Sequence, residues 1–107
     1  MRTRRSKFNA KPTVVDGIRF ASQKEARCWR DLRALEMIGE ISSLKVQPRF
    51  RLEVNGIKIC DYVADFDYFD RIIQSRVIAD AKGMKTPVYR LKAKLMKAIH
   101  GIEIREL

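Results

Sequence analysis

Three apolar residues, Val77-Ile78-Ala79, run directly into Asp80-Ala81-Lys82-Gly83. If this stretch is extended, successive side chains point to opposite faces of a sheet. Ile78, Asp80 and Lys82 then share one face, and Val77, Ala79 and Ala81 share the other. An acid and a lysine projecting the same way from an apolar strand require water, each other, or a metal ion with a substrate. An ion pair at a strand end and a functional site account for this pair equally well, so the rest of the chain has to decide between them.

The 107 residues suit one compact domain able to build its own core. Lys and Arg number 23 against 13 acids, a net charge of +10, which predicts attraction to a polyanion, nucleic acid being the commonest. No apolar run approaches the roughly 18 residues of a membrane span. The basic start, Met1-Arg2-Thr3-Arg4-Arg5, lacks the apolar segment of a secretory signal, so a cytoplasmic protein with no membrane partner is expected. Cys28 and Cys60 form no CxxC pair and read as buried thiols in a reducing compartment.

Residues 1–13 carry Arg2, Arg4, Arg5, Lys7 and Lys11 with little to bury. This is either a flexible basic arm lying along phosphates or a solvated terminus. Residues 14–107 form the expected single domain. Val14 to Phe20 reads as two short extended pieces around the Asp16-Gly17 turn. Ser22-Gln23-Lys24-Glu25 matches a capping box, opening a helix from about Ser22 to Ile38 that Gly39 closes. At about 100° per residue, Glu25 falls inside the apolar stripe of Cys28, Trp29 and Leu32. Its carboxylate serves either the cap or a site on the sheet, since the same oxygens hardly do both.

Leu44 to Val54 alternates loosely around Gln47-Pro48, as a bulged or edge strand does. Asn55-Gly56 is a hairpin signal, and Ile57 to Phe69 reads as one long strand. Alternation puts Asp61, Asp65 and Asp67 on one face of it, an unfavourable crowd unless cations are near. A solvated face paired with lysines accounts for Asp61 and Asp67, whereas Asp65, mid-strand beside Val63, is the acid expected to be partly buried. Thr86-Pro87 opens a second helix with Val88, Leu91, Leu95 and Ile99 as its expected buried stripe. Arg90, Lys94 and Lys97 form a basic stripe, with Lys85 and Lys92 close by. His100-Gly101 closes the helix, and a last strand spans Ile102 to Arg105.

Glu25 on the first helix, Asp65 mid-sheet and Asp80-Ala81-Lys82 on the next strand resemble the PD-(D/E)xK nuclease superfamily. The segments Ser22 to Glu25, Gln47-Pro48-Arg49-Phe50, Tyr62 to Phe66 and Asp80 to Gly83 look like a small phage-encoded branch of it, similar to Holliday junction resolvases. The likeness covers nearly the whole chain after the N-terminal arm. It departs from the pattern at Ala64, where proline usually precedes the first acid, and at Asp80, where glutamate is more usual.

The resemblance implies an α/β, restriction-endonuclease-like core, a mixed central β-sheet flanked by helices in the order α-β-β-β-α-β. It implies a Mg²⁺-dependent (or Mn²⁺-dependent) endodeoxyribonuclease of DNA recombination, phage- or prophage-encoded and acting in a bacterial host. Glu25, Asp65, Asp80 and Lys82 are its expected catalytic residues. The metal ligands would be Asp65, Asp80 and the Ala81 carbonyl, with Glu25 holding a water or a second ion. A hard divalent ion favours such oxygen ligands. Lys82 would orient the attacking water, and in its charged form it is no general base. Expected DNA contacts are Arg4, Arg5, Lys7, Lys24, Gln47, Lys85, Arg90, Lys94 and Lys97, on branched or single-stranded DNA. A symmetric double cut implies a homodimer. The alternative is a non-catalytic basic DNA-binding or recombination accessory protein. The coherence of four positions favours the nuclease expectation over it.

Overall fold

The computed structural model describes residues 11–81 and 85–107. Its chain order is β1 (Thr13–Val15), β2 (Ile18–Phe20), α1 (Gln23–Met37), β3 (Ile41–Val46), β4 (Arg49–Val54), β5 (Ile57–Val63), β6 (Phe66–Asp70), β7 (Ser75–Asp80), α2 (Pro87–His100) and β8 (Arg105–Glu106). No helix among the described residues is long and apolar enough to cross a membrane.

Local chemistry sets the helix ends. The Ser22 hydroxyl accepts the Glu25 N–H at 3.1 Å, and the Thr86 hydroxyl accepts the Tyr89 N–H at 3.1 Å ahead of Pro87. Each satisfies a donor that the first helical turn leaves open. Gly101 ends α2 at φ 69°, where its N–H donates to the Lys97 carbonyl and the Ile102 N–H to that of Met96. A left-handed residue whose N–H returns to the carbonyl four positions back is the αL stop. Asp16-Gly17 and Asn55-Gly56 both take positive φ, as tight hairpin turns require.

A four-stranded mixed sheet runs β3-β6-β7-β8, antiparallel except for the parallel β7–β8 pair. The β4–β5 and β1–β2 hairpins stand beside it as separate two-stranded ladders. Where sequence patterning predicts two long strands, 44–54 and 57–69, each is broken once. Gln47-Pro48 separates β3 from β4, and Ala64-Asp65 separates β5 from β6. The two breaks face each other: the Gln47 N–H donates to the Asp65 carbonyl at 2.9 Å, and the Ala64 N–H to the Pro48 carbonyl at 3.1 Å. Pairing therefore continues through the bend, while the hairpin beyond it swings into its own sheet. Proline has no N–H for a ladder, and Gln47 takes φ 54°, so the bend is set on this strand.

The two helices cover opposite faces. Ala26, Trp29 and Leu32 of α1 pack on Phe66, Tyr68, Val77 and Ala79, together with Phe20 and Ile41. Met96 of α2 packs on Ile78, Tyr62, Ala64 and Leu52, with Tyr89, Leu95 and Ile99 against that cluster. β7 is thus buried on both sides over Val77 to Asp80. The Trp29 indole N–H donates to Asp16 at 2.9 Å and ties α1 to the first hairpin. The His100 Nε2–H donates to the Arg51 carbonyl at 2.9 Å and ties α2 to β4.

One expectation about α2 is corrected. Val88 and Leu91 do not belong to a buried stripe: they are 62% and 58% exposed. The inward side is instead Tyr89, Ala93 and Met96, with Leu95 and Ile99 half-buried. Both lines satisfy helical spacing, and packing selects the second because Met96 fits between Ile78 and Leu52.

Candidate active site

β6 and β7 pair with Asp67 opposite Ile78 and Phe66 opposite Ala79. One step further along this register, Asp65 falls opposite Asp80. Both carboxylates are withdrawn from water: Asp65 is 8% exposed and Asp80 0%. Their bonds are reciprocal. Asp80 Oδ1 accepts the Asp65 N–H at 2.8 Å, and Asp65 Oδ2 accepts the Ala81 N–H at 2.7 Å. Burying a carboxylate is costly unless hydrogen bonds compensate, and bonds from backbone amides to charged oxygens are among the stronger ones. The Asp80 carbonyl in turn accepts the Leu107 N–H at 2.9 Å, so the segment following β8 also holds this strand end.

The pair shares the face of Ile78, on the α2 side. Tyr89, in the first turn of α2, borders it. Burial pushes the Tyr89 phenol up to about 12, and the negative charges of Asp80, Glu106 and Asp65 add to the rise. Its ring stands 6.4 Å from that of Tyr62. From the other side, α1 reaches the vicinity of Asp65 at Cys28. Burial is the main cause that raises this thiol, and Asp65 is among the charges that contribute. Cys28 and Cys60 are both free thiols, on α1 and β5.

Glu25 is half-buried in the first turn of α1, where the Ser22 hydroxyl donates to its Oε2 at 3.4 Å. Among the described residues, no three His, Cys, Asp or Glu side chains are grouped so as to hold a metal ion. The structure therefore brings together Asp65, Asp80 and the Ala81 main chain. Lys82 lies outside the described residues, as do Arg4, Arg5 and Lys7.

The other acids of the long strand have structural partners. Asp61 bonds Arg49 and Lys58, each at 3.0 Å, and its carboxyl is lowered chiefly by the Lys58 bond. Asp67 is not on a solvated, lysine-paired face: it is 8% exposed and held by two bonds from Arg76, at 3.0 and 2.8 Å.

The expected DNA-contacting residues that are described lie at or near the surface. Gln47, Lys85, Arg90, Lys94 and Lys97 are exposed and Lys24 is half-exposed. Lys85 pairs with Glu106 at 2.7 Å and Lys97 with Glu103 at 2.9 Å. Lys94 and Lys97 flank a cleft of about 210 Å³ between α2 and the C-terminal segment, which Tyr89 also lines. Gln47 meets Asp65 through its main chain, whereas its side-chain amide donates to the Arg19 carbonyl at 3.2 Å.

Sequence reasoning missed Tyr89 and the Leu107 amide. Tyr89 is found once the helical phase is set on Met96 instead of Val88. The Leu107 contact follows only from the parallel pairing of β8 with β7.

Fold and site together define a mixed α/β protein whose central sheet ends in two facing, amide-bound aspartates. The chain belongs to the family described as Protein of unknown function (DUF1064), whose model matches residues 5–105. No curated protein and no solved structure matches it.

Proposed function

We propose that this protein is a divalent-metal-dependent DNA endonuclease with a restriction-endonuclease-like core of the PD-(D/E)xK type. Its substrates on this reading are branched or recombination intermediates of the Holliday junction kind. The observation that carries the reading is the Asp65–Asp80 pair, two carboxylates from neighbouring strands facing each other at one sheet end. Facing carboxylates repel, and a divalent cation balances both charges at once. The donor set suits a hard ion such as Mg²⁺ or Mn²⁺: Asp65, Asp80 and the Ala81 carbonyl supply oxygens, and waters would complete the shell. The ion would supply charge neutralisation at the phosphate and a lowered pKa for an attacking water. Lys82, two residues past Asp80, would steady that water or the developing phosphate charge. The +10 net charge and the exposed Arg90, Lys94 and Lys97 support a polyanionic substrate. A phage- or prophage-encoded protein working as a homodimer would fit such a role.

The test is a cleavage panel of four-way junctions, flaps, single strands and plain duplex with Mg²⁺ or Mn²⁺. Cleavage of at least one substrate is expected, and Asp80→Asn should abolish it while the melting temperature changes little. No cutting of any substrate, or undiminished cutting by Asp80→Asn, would count against the reading.

The reciprocal amide bonds favour a second reading. In it the carboxylates pin the strand bend, and the protein is a non-catalytic DNA-binding or recombination accessory factor. Calorimetry with Mn²⁺ separates the two. A nuclease loses a metal site in Asp65→Ala, whereas an accessory factor has none to lose and keeps its DNA affinity.

A further inference from the structure

Val88 and Leu91 are aliphatic side chains one helical turn apart on the outside of α2, each more than half exposed. Leu95, half-buried, continues the ridge. Cations line one flank of it: at about 100° per residue Arg90 and Lys94 fall on the same side of the ridge, and both are exposed. The ridge is on the helix whose first turn borders the carboxylate pair through Tyr89. Chain connectivity leads from Ala81 to the α2 cap at Thr86 within five residues. Other exposed aliphatic groups lie on other elements. Val54 and Ile57 sit at the β4–β5 hairpin tip, with Ile57 about 26 Å along the strand from Asp65 at the usual rise per residue. Ile72 and Ile73 lie at the far turn of the β6–β7 hairpin, about 16 Å away by the same measure. Val63, beside the bend, is 39% exposed and Ile59, four positions back on β5, is 55% exposed, but the acid Asp61 stands between them.

We propose that the Val88–Leu91 ridge is a wedge that packs on unstacked bases, so that the basic face of α2 prefers DNA with an open or branched segment over plain duplex. A base offers an apolar ring face beside a phosphate backbone, and this ridge offers aliphatic groups beside a row of cations. Leucine and other apolar side chains inserted at a base step unstack it at modest cost, least where pairing is already broken. A purely aliphatic protein partner would leave Arg90 and Lys94 facing an apolar surface, which charged groups disfavour. The inference rests on the proposed DNA-facing role of α2 and not on cleavage.

The test uses the full chain in EDTA, so that binding is read without hydrolysis. Affinities for a four-way junction and for a plain duplex of equal length are compared across a salt series. A 2-aminopurine at the branch reports unstacking. Val88→Ser combined with Leu91→Ser should cut the junction-over-duplex preference about tenfold and abolish the 2-aminopurine brightening. The salt slope should stay unchanged, because no charge is removed. Val88→Ile with Leu91→Met should restore both readouts, and Met37→Ser with Ile38→Ser, on exposed residues elsewhere, should leave them alone.

An unchanged preference in the double variant, or an equal loss on both DNAs, overturns the wedge. So does a wild-type self-association that the double variant abolishes, since the ridge would then bind a second copy. If wild type cleaves DNA while the double variant keeps its preference, only the wedge fails. If wild type binds neither DNA, the wedge and the DNA-directed reading fail together.

Discussion

At Asp65 and Asp80, one oxygen of each carboxylate is already bound to a backbone amide before any ligand arrives. The side chains are thereby fixed in direction, as a preorganised ligand set requires. Tyr89 reports on this site, since burial first and then the charges of Asp80, Glu106 and Asp65 hold its proton. Its folded value of about 12 lies above its ordinary value near 10.0, so the folded protein holds the phenolic proton more tightly than the unfolded chain. The stability from that difference is complete below pH 10 and disappears as pH rises from about 10 to about 12. Tyr89→Phe should therefore flatten the fall of the melting temperature over that interval, measured in EDTA by thermal scans. An alkaline fall equally steep in the variant would contradict the assignment. Alternation marked Asp65 and Asp80 as charges in an apolar context, but it did not separate Asp65 from the equally buried Asp67. The pairing of Asp65 with Asp80 came only with the resemblance. Tyr89 was not legible, because an aromatic residue early in a helix reads as ordinary core whichever face it joins.

Among the elements, the helices were the most legible and the strands the least. Ser22, Gly39, Thr86-Pro87 and Gly101 state their purpose within four residues, and the caps form as their chemistry requires. Gly101→Ala should cost about 1 kcal/mol, since only the left-handed φ resists the substitution. No atom lies within 4 Å of an added Cβ, so a much larger loss by chemical denaturation would be inconsistent with this geometry. The two strand bends could not be read in the same way. Gln47-Pro48 gives a local hint, but Ala64-Asp65 carries no turn chemistry and alternates as a strand should. Its break is dictated by the residues it faces across the ladder, a partnership that local pattern does not encode. The face of α2 was ambiguous for the opposite reason. Two lines of apolar residues share helical spacing, and only packing against Ile78, Leu52 and Tyr62 chooses between them.

In the whole molecule, two hydrophobic clusters lie on opposite faces of the sheet and share β7, with Val77 and Ala79 facing one and Ile78 the other. Asp80 terminates the strand that both clusters bury. Segments of this kind open only with the global transition, whereas loops and edges open earlier. The amides of residues 77–80 should therefore be the slowest to exchange with deuterium, at the free energy of complete unfolding. Heat should then not silence the protein while it is still folded. If the aspartates are catalytic, residual cleavage after brief heating should trace the same midpoint as the loss of ellipticity, and an activity that failed many degrees earlier would mean that the chemistry resides on a looser part of the chain.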